Sequence, residues 1–383
     1  MAQTNLLNTT WTLHRLSPLH HGKEFESLLD NPVALKTYAT RLRDQLTGAS
    51  FPAAVQSSGP LPAAEDDALS RTGALQSCTW EPIPNLSFSE IEDEHNPENE
   101  SRPPNPPRSR ARTQRLPPSL SPSHQGGGIL VKLEYENTTY KAALLTLSSP
   151  KSPPEPAAKP RARTRSQTQT HATRLPLLLT RFPAPLRQTF ISFLSSTFDT
   201  YCSALCLPSQ FIGSALITYI NTLASEGELG ALNPIDILKE LHLTLSFPTF
   251  VAPDLRSLNI TIPRESLRGF LRAEGGGAGS ESDVLSILSA YLEEHLAMKV
   301  DLSGASPVIK GHEHVRLAKI ACGGFLLGGE GRLKLAAAPS TSENGESDGA
   351  TSRKNRLALR ACEMLLSDVV HRAVVDEDEG QET

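Results

Sequence analysis

Glycine, histidine and cysteine provide the groupings in this sequence whose types and spacing invite a chemical reading. Gly323 to Gly331 (GGFLLGGEG) looks at first like a phosphate cradle. A P-loop needs GxxxxGK[ST], with lysine on the phosphates and a hydroxyl on magnesium, and no Lys-Ser or Lys-Thr follows these glycines. A dinucleotide fingerprint needs G-x-G-x-x-G between a strand and a helix. These glycines lie between two extended segments and read as turn residues. His312-Glu313-His314 puts two imidazoles on one side of a strand, and Cys202 and Cys206 fall one helical turn apart. A structural zinc site wants four ligands, commonly in paired short spacings, and no second CxxC or HxxxH pair accompanies them. Glu240 and His242 share the polar face of an expected strand, which a solvated sheet face explains. No serine-hydrolase elbow and no carboxylate pair is read. The expectation is a protein without catalytic residues, metal or other cofactor, and with no small-molecule substrate.

Two arginine runs are more informative. Lys159-Pro160-Arg161-Ala162-Arg163-Thr164-Arg165 holds four cations and no acid, and Arg108, Arg110 and Arg112 form a looser relative in PRSRAR. Arginine in an extended, proline-stiffened segment can enter the minor groove of A·T-rich DNA, where the potential is most negative. The first run is similar to an AT-hook, except that Ala162 stands where that motif has glycine. Nuclear import, phosphate contact and plain solubility remain alternatives for the same residues. Ser121-Pro122, Ser149-Pro150-Lys151 and Ser152-Pro153 are candidates for proline-directed phosphorylation, which would weaken any basic attraction.

The elements that must position such groups are unevenly spread along the 383 residues. Eighteen of the 30 prolines lie between Phe51 and Pro160. Proline at that density removes donors and blocks helices, so a core is not expected there. The acidic run Glu90 to Glu100 abuts the basic run Ser101 to Arg115, the pattern of a solvated tether. Lys and Arg number 37 against 42 Asp and Glu, giving a net charge of −5. No stretch is long and apolar enough for a bilayer, no export signal is read, and five scattered cysteines argue against a disulfide framework. A soluble intracellular chain is expected.

The organisation expected is a strand-helix segment over 1–48, a linker over 49–127, a hairpin over 128–147, and a basic linker over 148–174. An α+β region follows over 175–375, flexible at 336–352, and then an acidic tail over 376–383. Thr9 to Leu16 reads as a strand. Asn31-Pro32 opens a helix with Val33, Tyr38, Leu42 and Leu46 on one side. Apolar residues near Trp80, Ile83 and Leu86 read as a clump within the linker, with a short docking segment as the alternative. Alternation across Ile129 to Tyr135 and then Tyr140 to Leu147 predicts a hairpin. Helical spacing places helices over Leu186 to Phe198, Phe211 to Leu223, Leu285 to Leu296 and Leu357 to Ala373. Strands are expected over Leu241 to Phe247, Leu258 to Ile262 and Val315 to Ile320. A hairpin of Phe325 to Leu327 with Arg332 to Leu335 is expected at the end of the sheet. Mixed helices and antiparallel strands give the α+β class, a mainly antiparallel sheet with packed helices interrupted by long disordered insertions.

Asn8 to Leu19 (NTTWTLHRLSPL), together with Leu317 to Leu335 (LAKIACGGFLLGGEGRLKL) and the helix after it, resembles the fungal centromere protein L family. That resemblance implies a nuclear, non-enzymatic inner-kinetochore subunit of α+β fold with a curved antiparallel sheet, located at the centromere. Its expected partners are a centromere protein N-like subunit and other inner-kinetochore proteins, with the centromeric nucleosome or DNA as a further contact. It also implies pairing through the C-terminal sheet, carried here onto Ile320, Phe325, Leu327, Leu333 and Leu335. A terminal hairpin would offer main-chain groups and a row of apolar side chains to a partner strand. The alternatives are a nucleic-acid-processing enzyme with a dispersed site, or an A·T-rich DNA binder using Lys159, Arg161, Arg163 and Arg165.

Overall fold

The computed structural model describes residues 6–25, 27–29, 31–48, 72–88, 126–147, 172–225, 235–247, 249, 254–267, 283–296, 302, 315–336 and 349–379. Within them the α+β class holds. Thirteen strands and six helices follow one another as β1 (Thr10–Leu16), β2 (Leu19–His20), α1 (Pro32–Gly48), β3 (Leu75–Ile83), β4 (Gly126–Tyr135), β5 (Thr139–Leu147), β6 (Ala172–Thr173) and β7 (Leu177–Arg181). After these come α2 (Ala184–Phe198), β8 (Cys202–Ala204), α3 (Ser209–Ser225), α4 (Ile235–Leu238), β9 (Leu241–Ser246) and β10 (Ser257–Ile262). The chain closes with α5 (Asp283–Leu296), β11 (Arg316–Ala321), β12 (Phe325–Gly328), β13 (Arg332–Leu335) and α6 (Gly349–Glu379).

Local chemistry sets several of these boundaries. The Asn31 side chain accepts the Ala34 N–H at 3.1 Å, the N-cap that Asn31-Pro32 announces. Tyr38, Leu42 and Leu46 are buried, whereas Val33 is 66% exposed. Val33 lies in the first turn, one position off the apolar stripe, so its expected burial is corrected. Pro183 stays extended before α2, and Asp199 ends that helix at φ 47°, in the left-handed region.

One sheet organises the chain, in the order β10-β9-β11-β12-β13-β1-β7-β5-β4-β3, with β8 pairing β1 alongside. Its named strand pairs are antiparallel, and β2 and β6 form a separate two-stranded pair. β1 lies in the middle. Trp11 faces Leu333 of β13, while Leu13 and His14 face Leu179 and Leu178 of β7. One face of the sheet packs against α3, α5 and α6 over Trp11, Leu13, Leu179, Leu243, Ile320 and Leu333. The other face packs against α1 and α2 over β3, β4, β5 and β7 and the end of β1 at Leu16, with Leu19 of β2 and Cys202 of β8 alongside.

The segment around Trp80 is a strand. β3 runs beside β4 from Leu75↔Tyr135 to Ile83↔Gly128. Trp80 meets Tyr38, Phe193 and Phe198 at ring-centroid distances of 6.3, 6.4 and 6.4 Å. The reading of residues 75–83 as linker is therefore corrected. Glu81, Pro82 and Gln76 dilute the strand pattern, and the register that rescues it comes from β4, far along the chain. The strands β7 and β8 likewise went unread, because each is short and its pairing with β1 is remote.

His14 sits in this central seam, 7% exposed and neutral. Burial, followed by the nearby Arg187 guanidinium, pushes its pKa down from 6.5 to about 4. The unfolded chain therefore binds the proton that the folded chain refuses between these values. Stability is full above about pH 6.5 and falls as the pH drops towards 4. Denaturant titrations from pH 7 to 4 should show this loss, and His14→Asn should flatten that part of the profile.

Candidate functional site

The hairpin of β12 and β13 was expected to offer a free rim. Its strands instead have neighbours on both sides. Phe325 pairs with Leu335 and Leu327 with Leu333 within the hairpin, Ile320 faces Leu327 from β11, and Trp11 faces Leu333 from β1. The N–H of Leu13 donates to Gly331 O and that of Asn8 to Leu335 O, each at 2.7 Å. Ile320, Phe325, Leu327, Leu333 and Leu335 are between 0 and 1% exposed. Placing these five on an open rim is corrected: β1 takes the hydrogen bonds and α3 and α6 take the apolar face. The Phe325 ring lies 4.9 Å from that of Tyr219 on α3.

The same packing accounts for the glycine run. Gly331 has φ +73°, suited to the turn between β12 and β13. A side chain at Gly324 would collide with the Tyr219 hydroxyl. These glycines serve close approach within the core, as turn residues would. Burial pushes Cys322 up to about 11 and Cys362 up to about 12, so both thiols stay protonated and unreactive at neutral pH. Cys202 lies in β8 and Cys206 after it, so a helical turn does not relate them. Among the described residues no group of three or more His, Cys, Asp and Glu could hold a metal ion. The spacing G-x-S-x-G occurs once, at Gly345 to Gly349 (GESDG). An elbow needs a strand running directly into it. Residues 345–348 lie outside the described residues, and the spacing alone makes no hydrolase.

Among the described residues the sheet ends in two outer strands, β3 and β10. They differ in chemistry. β3 carries Pro82, which has no N–H to give, and Glu81, which pairs with Lys132 at 2.8 Å. Proline and charge are the usual guards of an edge. β10 (SLNITI) has neither. The Phe247 N–H donates to Arg256 O at 3.0 Å, which makes 256 and 247 a hydrogen-bonded pair. The regular register from Ser257↔Ser246 to Ile262↔Leu241 then alternates from there. So Leu258 and Ile260 bond inward to β9, while the main-chain groups of Ser257, Asn259 and Thr261 point away from it. The side chains alternate too. Leu258 and Ile260 pack against the core. On the other face Thr244 donates to Asn259 Oδ1 at 2.8 Å and His242 Nδ1 lies 3.0 Å from Thr261 Oγ1. Glu240 sits 3.7 Å from His242 on this exposed surface, so these two form part of a solvated sheet face.

The sequence announces the alternation of β10 but not its place at the edge, which depends on where β11 and β1 insert. Lys159, Arg161, Arg163, Arg165, Arg108, Arg110, Arg112, His312 and His314 lie outside the described residues, as do the three Ser-Pro sites. No described helix is long and apolar enough to cross a membrane.

The family model for centromere protein L matches residues 5–374. The chain belongs to the centromere protein L family. No curated protein matches it. The match runs from β1 through α6, so it includes the seam, both outer strands and the insertions between them. Membership makes this a protein of the centromere and kinetochore, in a family of structural subunits rather than of known enzymes, and implies a nuclear, inner-kinetochore setting.

The buried hairpin generates a test. Leu333→Asp would place an unpaired carboxylate at 0% exposure, and Phe325→Ala would remove a buried ring at a cost of about 3–5 kcal/mol. Leu333→Asp should abolish the cooperative thermal transition, and Phe325→Ala should lower its midpoint. A surface role would leave both melting curves unchanged.

Proposed function

We propose that this chain is a non-enzymatic scaffold of the inner kinetochore that pairs with a centromere protein N-like subunit by adding that partner's strand to β10. In this role it helps to link centromeric chromatin to the kinetochore for chromosome segregation. The observation that carries the reading is the open edge: Ser257, Asn259 and Thr261 present main-chain groups that β9 does not use. Strand addition supplies affinity through the main chain and specificity through alternate side chains. Leu258 and Ile260 supply apolar contact on the core side, and Asn259 and Thr261 supply polar contact on the other. The pairing role first assigned to the hairpin passes to this strand, which lies in the same C-terminal part of the sheet.

The basic runs around Arg108 to Arg112 and Lys159 to Arg165 suit a second contact, with phosphate on the centromeric nucleosome or DNA. Such contacts position rather than read sequence, and they weaken steeply with salt. Deleting 148–171 should therefore lower chromatin association without altering binding of the protein partner, as read by salt-dependent DNA binding and by pull-down.

Asn259→Pro tests the edge directly. Proline at an outward-facing position removes one N–H from the open side and none from the β9 ladder. Thermal stability should change by less than about 1 kcal/mol, while affinity for the partner falls by roughly tenfold or more. Ile260→Pro, which breaks the inner ladder, should instead destabilise the fold. A folded Asn259→Pro protein with unchanged affinity would remove β10 from the interface.

A further inference from the structure

β3 does not end free. After Ile83 the chain continues as an extended strap over Pro84 to Phe88, and this strap is held to α6 at the Glu363 carboxylate. Glu363 accepts the Phe88 N–H and, at 3.1 Å, the Ser87 hydroxyl. Leu86 and Phe88 are 5% and 0% exposed, inserted into the core on either side of Ser87, which is itself only half-buried. The apolar pair supplies the adhesion and the carboxylate sets the register.

Sequence adds a second, independent observation. The residue three positions after Ser87 is Glu90, and Glu92, Asp93 and Glu94 follow. A serine with acid at the third following position and beyond complements the basic substrate groove of an acidophilic serine/threonine kinase.

We propose that Ser87 is a phosphorylation site for an acidophilic kinase and that its phosphate unlatches the 84–88 strap from α6. The kinase transfers the γ-phosphoryl group of a nucleoside triphosphate: the β–γ P–O bond breaks, the Ser87 Oγ–P bond forms, the hydroxyl proton leaves to the kinase's base, and the diphosphate departs. The product carries close to two negative charges where a hydroxyl had donated. It faces Glu363, which can neither donate to it nor leave. Like charges at hydrogen-bonding distance repel, and the Phe88 N–H loses its acceptor as the strap swings away. Unmodified, the half-buried Ser87 reaches a kinase through the same local opening that the phosphate then stabilises. The consequence is an outer strand, β3, whose C-terminal end is held or released by one covalent mark. This inference does not depend on β10 or on any partner.

The experiment treats the full-length chain with a purified acidophilic kinase and ATP, maps phosphate by mass spectrometry, and follows amide exchange residue by residue. Phosphate on Ser87 should raise exchange at Phe88 by roughly tenfold, while amides of the central seam such as Leu13 keep their protection. In Glu363→Gln the carboxamide can still accept from Phe88 and can donate to a phosphate, so the same modification should raise exchange far less. The proposal is overturned by modification of Ser89 with Ser87 untouched, or by phosphate on Ser87 with Phe88 still protected. It is also overturned by a rise in exchange across β1 as well, which would mean unfolding rather than unlatching.

Discussion

The structure depends on the first strand being hydrogen-bonded on both sides. β1 bonds to β13 through Thr10–Thr12, to β7 through Thr12–Arg15 and to β8 through His14–Leu16. It thereby joins the C-terminal strands β9 to β13 to the strands β3, β4, β5 and β7. Trp11 fixes its start by donating Nε1–H to Leu6 O at 3.0 Å. Trp11, Leu13 and Leu16 are each at most 1% exposed, so the seam is closed by packing as well as by the ladder. This constraint decides what the rest of the surface can do. The strand that completes the fold also occupies the edge that the β12–β13 hairpin would otherwise present, which leaves β3 and β10 at the ends of the sheet's path among the described residues.

The two faces are covered unequally. Among the described residues α3, α5 and α6 pack on one face from β3 to β10, whereas α1 and α2 cover the other from β3 to the end of β1 at Leu16. Where no described element covers it, the second face carries His242, Thr244, Asn259, Thr261 and Lys319, all exposed or half-exposed among the described residues. The long insertions leave this arrangement intact. One joins β3 to β4 and another joins β5 to β6, and in each case the strands at both ends are already anchored in register. Closure entropy rises only slowly with loop length, so a sheet fixed by its registers tolerates long inserts between neighbouring strands.

Much of this was legible in the residues. Period-two alternation located β4, β9 and β10, the turn-prone Asn137-Thr138-Thr139 pointed to β5 as the return strand, and Val315 to Ile320 read as extended, where β11 lies. Apolar spacing located α1, α2, α3, α5 and α6, and Asn31 capped its helix as its side chain requires. What the sequence could not convey is adjacency. A strand such as Leu75–Ile83, with Glu81 and Pro82 inside it, has a weak pattern of its own and is specified by β4. Whether Phe325 and Leu333 face solvent or core depends on whether α3 and α6 cover that face of the sheet, and whether β13 is an edge depends on β1, more than 300 residues away in sequence. The side-chain pattern correctly gave an apolar row. It could not give the row's owner, because a core and a docking surface are written with the same residues.

That ambiguity also bears on the two ends of the sheet. Edges invite pairing, and natural sheets guard them with proline, charge or a covering segment. β3 has Pro82, the Glu81–Lys132 pair and the strap anchored at Glu363. β10 has uncharged side chains, no proline within its bounds and a regular register, which together describe a strand suited to a neighbour on each side. In a protein that acted alone such an edge would be an aggregation hazard. In a family of kinetochore subunits the same edge suits the strand addition proposed for β10: uncharged alternating side chains and a regular register are what a neighbouring strand requires.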